Sequence, residues 1–232
     1  MESERTRLAA NLERIEERIN RVCAKAGRSR DSVRLIAVTK THPVATVQSL
    51  IDIGVKEIGE NRVQEILAKA PHLKGDFTLH MVGHLQTNKA GPLLPHIGWL
   101  QSVDSERLIA RIEHCHKDGP RLSALVEVNT SGEASKSGCA PDQCRSICER
   151  VAASGALELR GLMTIGPLGG DESSVRQSFN LLRRLGESMA DLTPEIVLSM
   201  GMSDDFALAI EEGSTMIRVG TALLGDRTGW KR

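Results

Sequence analysis

Short apolar runs recur along this chain, each followed by a helix-length amphipathic segment, and that rhythm restricts the possible folds more than any other feature. The runs are 34–40 (RLIAVTK), 57–60 (EIGE), 78–83 (TLHMVG), 99–104 (WLQSVD), 122–129 (LSALVEVN), 159–165 (LRGLMTI), 195–200 (EIVLSM) and 216–219 (MIRV). Runs this short read as buried strands. Between them lie "PVATVQSLIDIG", "NRVQEILAKA", a short "NKAGPLLPHI", "SERLIARIEHCHKDG", "APDQCRSICERVAASG", "DESSVRQSFNLLRRLGESMADL" and "SDDFALAIEEG". Strands separated by helical segments argue for βαβ units and a parallel sheet. Eight such units in 232 residues suit an α/β fold, a single (β/α)8 TIM barrel. The competing open sheet calls for a glycine-rich phosphate turn after its first strand, and "TKTHP" is not one.

No linker or low-complexity tract divides the chain, so one domain is expected over 1–232. Residues 1–27 form an extra N-terminal helix packed on the barrel. Leu8, Leu12, Ile15, Ile19 and Val22 recur there at helical spacing, and Gly27 supplies the stop.

Thirty Lys+Arg balance thirty Asp+Glu, which argues against a protein held to nucleic acid by net charge. Aromatic residues make up 2% with no tyrosine, so a stacking platform for single strands is not expected. The charged N-terminus has no apolar core of signal-peptide length, and no run approaches a membrane span. Five cysteines form no disulfide framework, and the spacing of Cys139, Cys144 and Cys148 matches no common zinc pattern. These features predict reduced thiols, no metal and a cytoplasmic protein.

The ends of the predicted strands are polar. They give Lys40, "GEN" (59–61), "GHLQTNK" (83–89), Asp104, "VNTSGEASKSG" (128–138), "MTIGP" (163–167), "SMGMSDD" (199–205) and "RVGTALLG" (218–225). In a barrel of this type the active site is built at that rim. After strand seven, Ser203 reads as the N-cap of a helix with Asp204 and Asp205 in its first turn. After strand eight, Gly220-Thr221 opens a short helical turn. The loops after strands seven and eight frequently hold a phosphate, and small residues let the backbone approach an anion. Asn61 and His84 are further candidates for the pocket, although a histidine at a strand end is more often structural. The cluster "HCH" (114–116) falls at a predicted helix end and reads as structural.

Most lysines near strand ends are solvated. Lys40 is placed across the same rim from the predicted phosphate cradle, and a lysine amine desolvated beside apolar residues can form a Schiff base. A phosphate ester carrying an aldehyde would use both features, which points to pyridoxal 5′-phosphate (PLP). Arg218, two residues before Gly220, could then meet the pyridine nitrogen. An arginine stays protonated, so it would donate to an unprotonated ring nitrogen and leave the ring a poorer electron sink.

The motifs "AVTK" (37–40), "GENRVQE" (59–65), "GHLQTNK" (83–89), "VNTSGEASKSG" (128–138), "GLMTIGP" (161–167) and "LSMGMSDDFALAIEEGSTMIRVGTALLG" (198–225) carry a resemblance over nearly the whole chain. The sequence resembles the pyridoxal phosphate homeostasis proteins, also called proline synthetase co-transcribed homologues. The resemblance implies an alanine-racemase-type barrel, fold type III among PLP proteins, with PLP held as an internal aldimine on Lys40. It implies phosphate contacts from Ser203, Gly220 and Thr221 and a ring contact from Arg218. Ser199 and Met202, in the same loop, complete the expected cofactor set with Asn61 and His84. Arg62 departs from the family, standing where many members have a tyrosine. The expected function is storage, buffering or delivery of PLP, without catalysis, by a chain expected to be a monomer rather than a dimer, with apo PLP enzymes as candidate partners. The alternative is a PLP-dependent amino-acid racemase. Racemisation needs an acid/base on each face of the substrate. Alanine racemases take the second from a tyrosine of the partner subunit's second domain, whereas this sequence has no tyrosine and is expected to form one domain, so a cysteine or histidine would have to substitute.

Overall fold

The structure, a computed structural model, describes residues 2–225; the outermost residues of the expected 1–232 domain lie outside them. All eight predicted runs form strands: β1 (Arg34–Val38), β2 (Glu57–Glu60), β3 (Thr78–Met81), β4 (Trp99–Val103), β5 (Leu122–Glu127), β6 (Leu157–Met163), β7 (Val197–Ser199) and β8 (Met216–Val219). They pair in parallel, in chain order, and β8 closes the ring on β1 through the register Leu35↔Ile217 and Ala37↔Val219. The expected (β/α)8 barrel is therefore present.

Several strands stop earlier than the sequence suggests. The predicted first strand extends to Lys40, but β1 ends at Val38, and β5 ends at Glu127 rather than 129. Ladder-like hydrogen bonds persist one residue further (Thr39 N to Gly59 O, Val128 N to Met163 O) before the chain turns away. The residues between the last paired position and the turn form the rim.

Helices α2 (Val44–Asp52), α3 (Val63–Lys69), α4 (Ala90–Leu93), α5 (Glu106–Cys115), α6 (Cys144–Ala152), α7 (Glu172–Glu187), α8 (Phe206–Glu211) and α9 (Thr221–Leu224) cover the outside. The segment "NKAGPLLPHI" yields only one short α-helical turn between two 3-10 turns, because Pro92 and Pro95 each withhold a backbone donor.

The N-terminal helix α1 (Glu2–Lys25) buries Leu8, Ile15, Ile19 and Cys23 against α2, α8 and α9. It ends as predicted: Gly27 takes φ +66°, and Arg28 N–H returns to Cys23 O at 2.9 Å, closing off the last turn. Asn11 Nδ2 donates to Leu223 O (2.8 Å) and Arg7 Nη1 to Leu224 O (3.0 Å), so the first helix holds the last one.

Alternation along the strands sorts the core into two parts. Ile36 joins Trp99, Leu125, Met163 and Met216 in a small cluster, whereas its neighbour Ala37 belongs to the large cluster under the helices. Side chains of period two line one face, so the small cluster fills the barrel interior and the large one the layer between sheet and helices. No helix among the described residues is long and apolar enough to cross a membrane.

Candidate functional site

A cavity of about 590 Å³ opens at the C-terminal ends of the strands. Lys40, Asn61, His84, Met202, Ser203, Arg218, Gly220 and Thr221 all line it. Ser199 does not: it is fully buried beneath Arg218, in the barrel interior.

Lys40 sits just past β1, partly buried, with its backbone gripped on both sides. Before it, Thr39 Oγ1 donates to Glu60 Oε1 (2.6 Å) and Thr39 O accepts from Lys69 Nζ (3.0 Å). After it, Thr41 N–H donates to Glu65 Oε2 (2.7 Å). Lys69 ties the two carboxylates together, 2.7 Å from Glu60 and 2.8 Å from Glu65. Thr41 is the only non-glycine residue among those described with positive φ, at +69°. A β-branched residue there is strained, and the Glu65 bond holds the strain in place. Glu60 and Glu65 of the "GENRVQE" motif therefore act outside the cavity, fixing the segment that carries Lys40.

The second wall is built by β7 and β8. Gly201 takes φ +96°, and a Cβ there would meet Ala209 Cβ at 2.5 Å, so only glycine fits this turn. The sequence placed Ser203 as N-cap with two aspartates following; the structure corrects this. Asp205 occupies the N-cap position of α8, Phe206 begins the helix, and Asp205 Oδ1 accepts from Met202 N–H (2.6 Å). Because that turn is already closed, the Ser203 hydroxyl reaches across to the next loop, accepting from Gly220 N–H (3.3 Å) and Ala222 N–H (3.2 Å). A second correction concerns position. Lys40 is not across the mouth from this loop, since β8 pairs with β1; a Cβ on Gly220 would lie 3.3 Å from Val38 O.

Arg218 lies at the cavity floor, 5% exposed. Nη1 donates to Ser199 Oγ (2.6 Å) and Nη2 to Thr164 O (2.7 Å). Burial pulls its pKa down to about 10, against the opposing pull of Glu127 and Asp205, so it remains a cation at neutral pH.

Glu127 is the residue that sequence reading passed over. It ends β5, is 4% exposed, lines the cavity, and its Oε2 has no hydrogen-bond partner. Burial, with Asp104 adding to it and Arg218 opposing, pushes its carboxyl up to about 7. The signal was present: Glu127 shares the parity of interior Leu125 within "LSALVEVN". Lys136, from the "SGEASKSG" loop, also lines the cavity, donating to Gly166 O (2.6 Å) and pairing with Glu133 (2.9 Å).

His84 stands half-exposed at the mouth, 3.2 Å from Asp104 Oδ2. Arg62 is exposed and lines a neighbouring cavity of about 500 Å³ that shares Asn61 and His84. The "HCH" cluster ends α5 as expected, with His116 at the C-cap position bonded to Pro120 O. Among the described residues, the exposed large hydrophobic side chains, Ile165, Leu168 and Met202, all border the main cavity.

Comparison with known proteins identifies the family and the fold. The profile of the alanine racemase N-terminal domain matches residues 10–228. The pyridoxal phosphate homeostasis protein of Pseudomonas aeruginosa is 40% identical over 224 residues, covering 95% of this chain and 96% of that one. The chain belongs to the pyridoxal phosphate homeostasis protein family. Within that family, PipY of Synechococcus elongatus has been solved with PLP bound; it is 34% identical, covers 90% of this chain and 100% of its own, and superposes with a TM-score of 0.78. Alanine racemase from Corynebacterium glutamicum has a TM-score of 0.73 at 15% identity, which shows the shared fold. The present chain spans 63% of that racemase.

Proposed function

We propose that this chain binds PLP covalently through Lys40 and holds it for storage, buffering or delivery, without turnover. The observation that carries the proposal is the meeting of three unlike groups in one cavity: the Lys40 amine, the Gly220–Thr221 turn and the buried Arg218 cation. Pyridoxal phosphate supplies an aldehyde that condenses with a primary amine and a ring that withdraws electrons.

The residues present fit that group. Lys40 offers the amine. Gly220, Thr221 and Ser203 offer small side chains, hydroxyls and N–H donors to a phosphate, which would share with Ser203 Oγ the N–H groups it now accepts. Arg218 offers a permanent cationic donor to the ring, so a proton is kept off the ring nitrogen. Asn61, His84 and Met202 complete the walls. Ser199 is assigned no cofactor contact; its bond goes to Arg218.

Delivery to apo PLP enzymes is part of the proposal. The exposed Ile165, Leu168 and Met202 around the mouth support it, since a lip of apolar side chains suits contact with a partner. Five free cysteines support a reducing, cytoplasmic setting. We place the whole function in one barrel domain working as a monomer.

The racemase reading has one specific observation in its favour. Glu127, buried in the cavity with its carboxyl near neutrality, could move a proton where no tyrosine is available. One experiment separates the two. The PLP-loaded protein is reduced with borohydride, and a parallel sample is incubated with L-amino acids in D₂O. The carrier proposal expects cofactor mass on the Lys40 peptide, none in Lys40→Ala, and no deuterium at Cα. Deuterium uptake at enzymatic rates, lost in Glu127→Gln, would establish the racemase instead.

A further inference from the structure

Beneath the cavity, the barrel interior is crossed by a single chain of hydrogen bonds. Arg218 Nη1 donates to Ser199 Oγ (2.6 Å), and the Ser199 hydroxyl donates to Gln101 Oε1 (2.7 Å). The Gln101 amide meets His80 Nδ1 at 2.9 Å, and His80 Nε2 meets Glu57 Oε2 at 2.7 Å. The links run from β8 through β7, β4 and β3 to β2. His80, Gln101 and Ser199 are fully buried. Glu57 lies at the opposite end of the barrel from the cavity, half-buried, with Arg34 at 3.5 Å.

The chemistry of its two ends fixes the direction of this chain. A guanidinium only donates and a carboxylate only accepts. Ser199 accepts from Arg218, so its one proton goes to the Gln101 oxygen. That orients the Gln101 NH₂ toward His80, whose Nδ1 must then be bare and whose proton must sit on Nε2 facing Glu57. Burial lowers the basicity of His80, consistent with a neutral ring. Trp99 stacks on that ring (5.6 Å between centroids, planes 14° apart) and holds its plane.

Buried polar groups are costly unless satisfied, and the Ser199 and His80 side chains find their hydrogen-bond partners within this set. Arg218 has no carboxylate within ion-pair distance among the described residues. The aligned dipoles lead instead from the cation to Glu57.

We propose that Gln101, His80 and Glu57 are positioning residues for Arg218, acting through Ser199, and that the relay fixes the plane in which Arg218 meets the ring of a bound cofactor. The part concerning the cofactor rests on the proposed function; the relay itself does not.

The test uses the full chain. In the free protein, ¹⁵N NMR of His80 is expected to show the Nε2–H tautomer from pH 6 to 9, and Arg218 is expected to show separate, slowly exchanging Nη signals. An Nδ1–H tautomer or an imidazolium would overturn the proposal. Gln101→Leu should average the Arg218 signals, weaken PLP binding about tenfold and shift the visible absorbance of the bound cofactor. Ser102→Ala, its unpartnered neighbour on β4, should do none of these. Unchanged Arg218 signals in Gln101→Leu would overturn the relay, and unchanged PLP affinity and spectrum would overturn its effect on the cofactor. Should that variant not fold, Glu57→Gln at the half-exposed end must still shift both the His80 and Arg218 signals, and no shift at Arg218 would overturn the relay. Failure of the wild type to bind PLP would sink the proposed function and leave the NMR result standing.

Discussion

Two adjoining walls of the cavity are held by different physics. The β1–β2 wall places Lys40 with side-chain charge: Thr39, Glu60, Glu65 and Lys69 form a closed, largely buried set around one backbone segment. The β7–β8 wall relies mainly on backbone groups and glycines, with the Ser203 hydroxyl and the Asp205 carboxylate each accepting from backbone N–H groups. In the proposed function the Lys40 amine forms a bond at one atom and needs a fixed origin, which charged hydrogen bonds supply. A phosphate has several equivalent oxygens, so N–H groups on a compact turn suffice.

The difference predicts a graded series of effects. Lys69→Met strands two carboxylates in the first wall and should lower stability by about 3–5 kcal/mol, measured by urea denaturation; a loss under 1 kcal/mol would show that the network does not act as a unit. Gly201→Ala in the second wall forces a Cβ against Ala209 at positive φ and should cost roughly 2–3 kcal/mol. Its thermal shift should come with weaker phosphate retention, whereas Lys69→Met should instead slow covalent capture by Lys40.

Glu127, opposite both walls, sharpens the comparison through pH. Its folded-state value of about 7 exceeds the ordinary 4.5, so the folded protein binds this proton more tightly than the unfolded chain does. The stability it allows is complete below 4.5 and is lost as pH rises through about 7. Glu127→Gln should therefore flatten that decline and stabilise by roughly 1–2 kcal/mol at pH 8, read from melts across pH 5 to 8. A wild-type curve that does not fall in that window would show Glu127 to be ionised without penalty. The smallest effect belongs to Ser203→Ala, about 0.5–1 kcal/mol in stability, with phosphate affinity reduced only a few-fold by equilibrium dialysis, because the backbone donors remain.

The two walls also differ in how much of them the sequence reveals. Eight strands in order were legible because each is a short apolar run with its own helix, and the glycines of the second wall mark its turns directly. Lys40 stood out as a cation at the end of a buried run. Its support did not, since Glu60, Glu65 and Lys69 look like surface charges on a line of text and become a cluster only once α3 folds over β1 and β2. Ser203 was misplaced for a related reason: a serine followed by two aspartates is the local pattern of an N-cap, and the hydroxyl's true partners lie on the following loop. Glu127 and the His80–Gln101–Ser199 chain are interior polar groups on strands, where composition favours apolar residues and only parity distinguishes inside from outside.

Closure of the ring has a consequence for the order in which this protein is made. The lysine stands just past the first strand, Arg218 lies on the last and Gly220 and Thr221 directly follow it, and those two strands are hydrogen-bonded neighbours. A ribosome releases the first of these long before the last, so a nascent chain carries the lysine before it has the arginine and the glycine turn that the proposed function joins to it. Cofactor capture then becomes a mark of a finished molecule, with α1 waiting to clasp α9 as the final turn arrives.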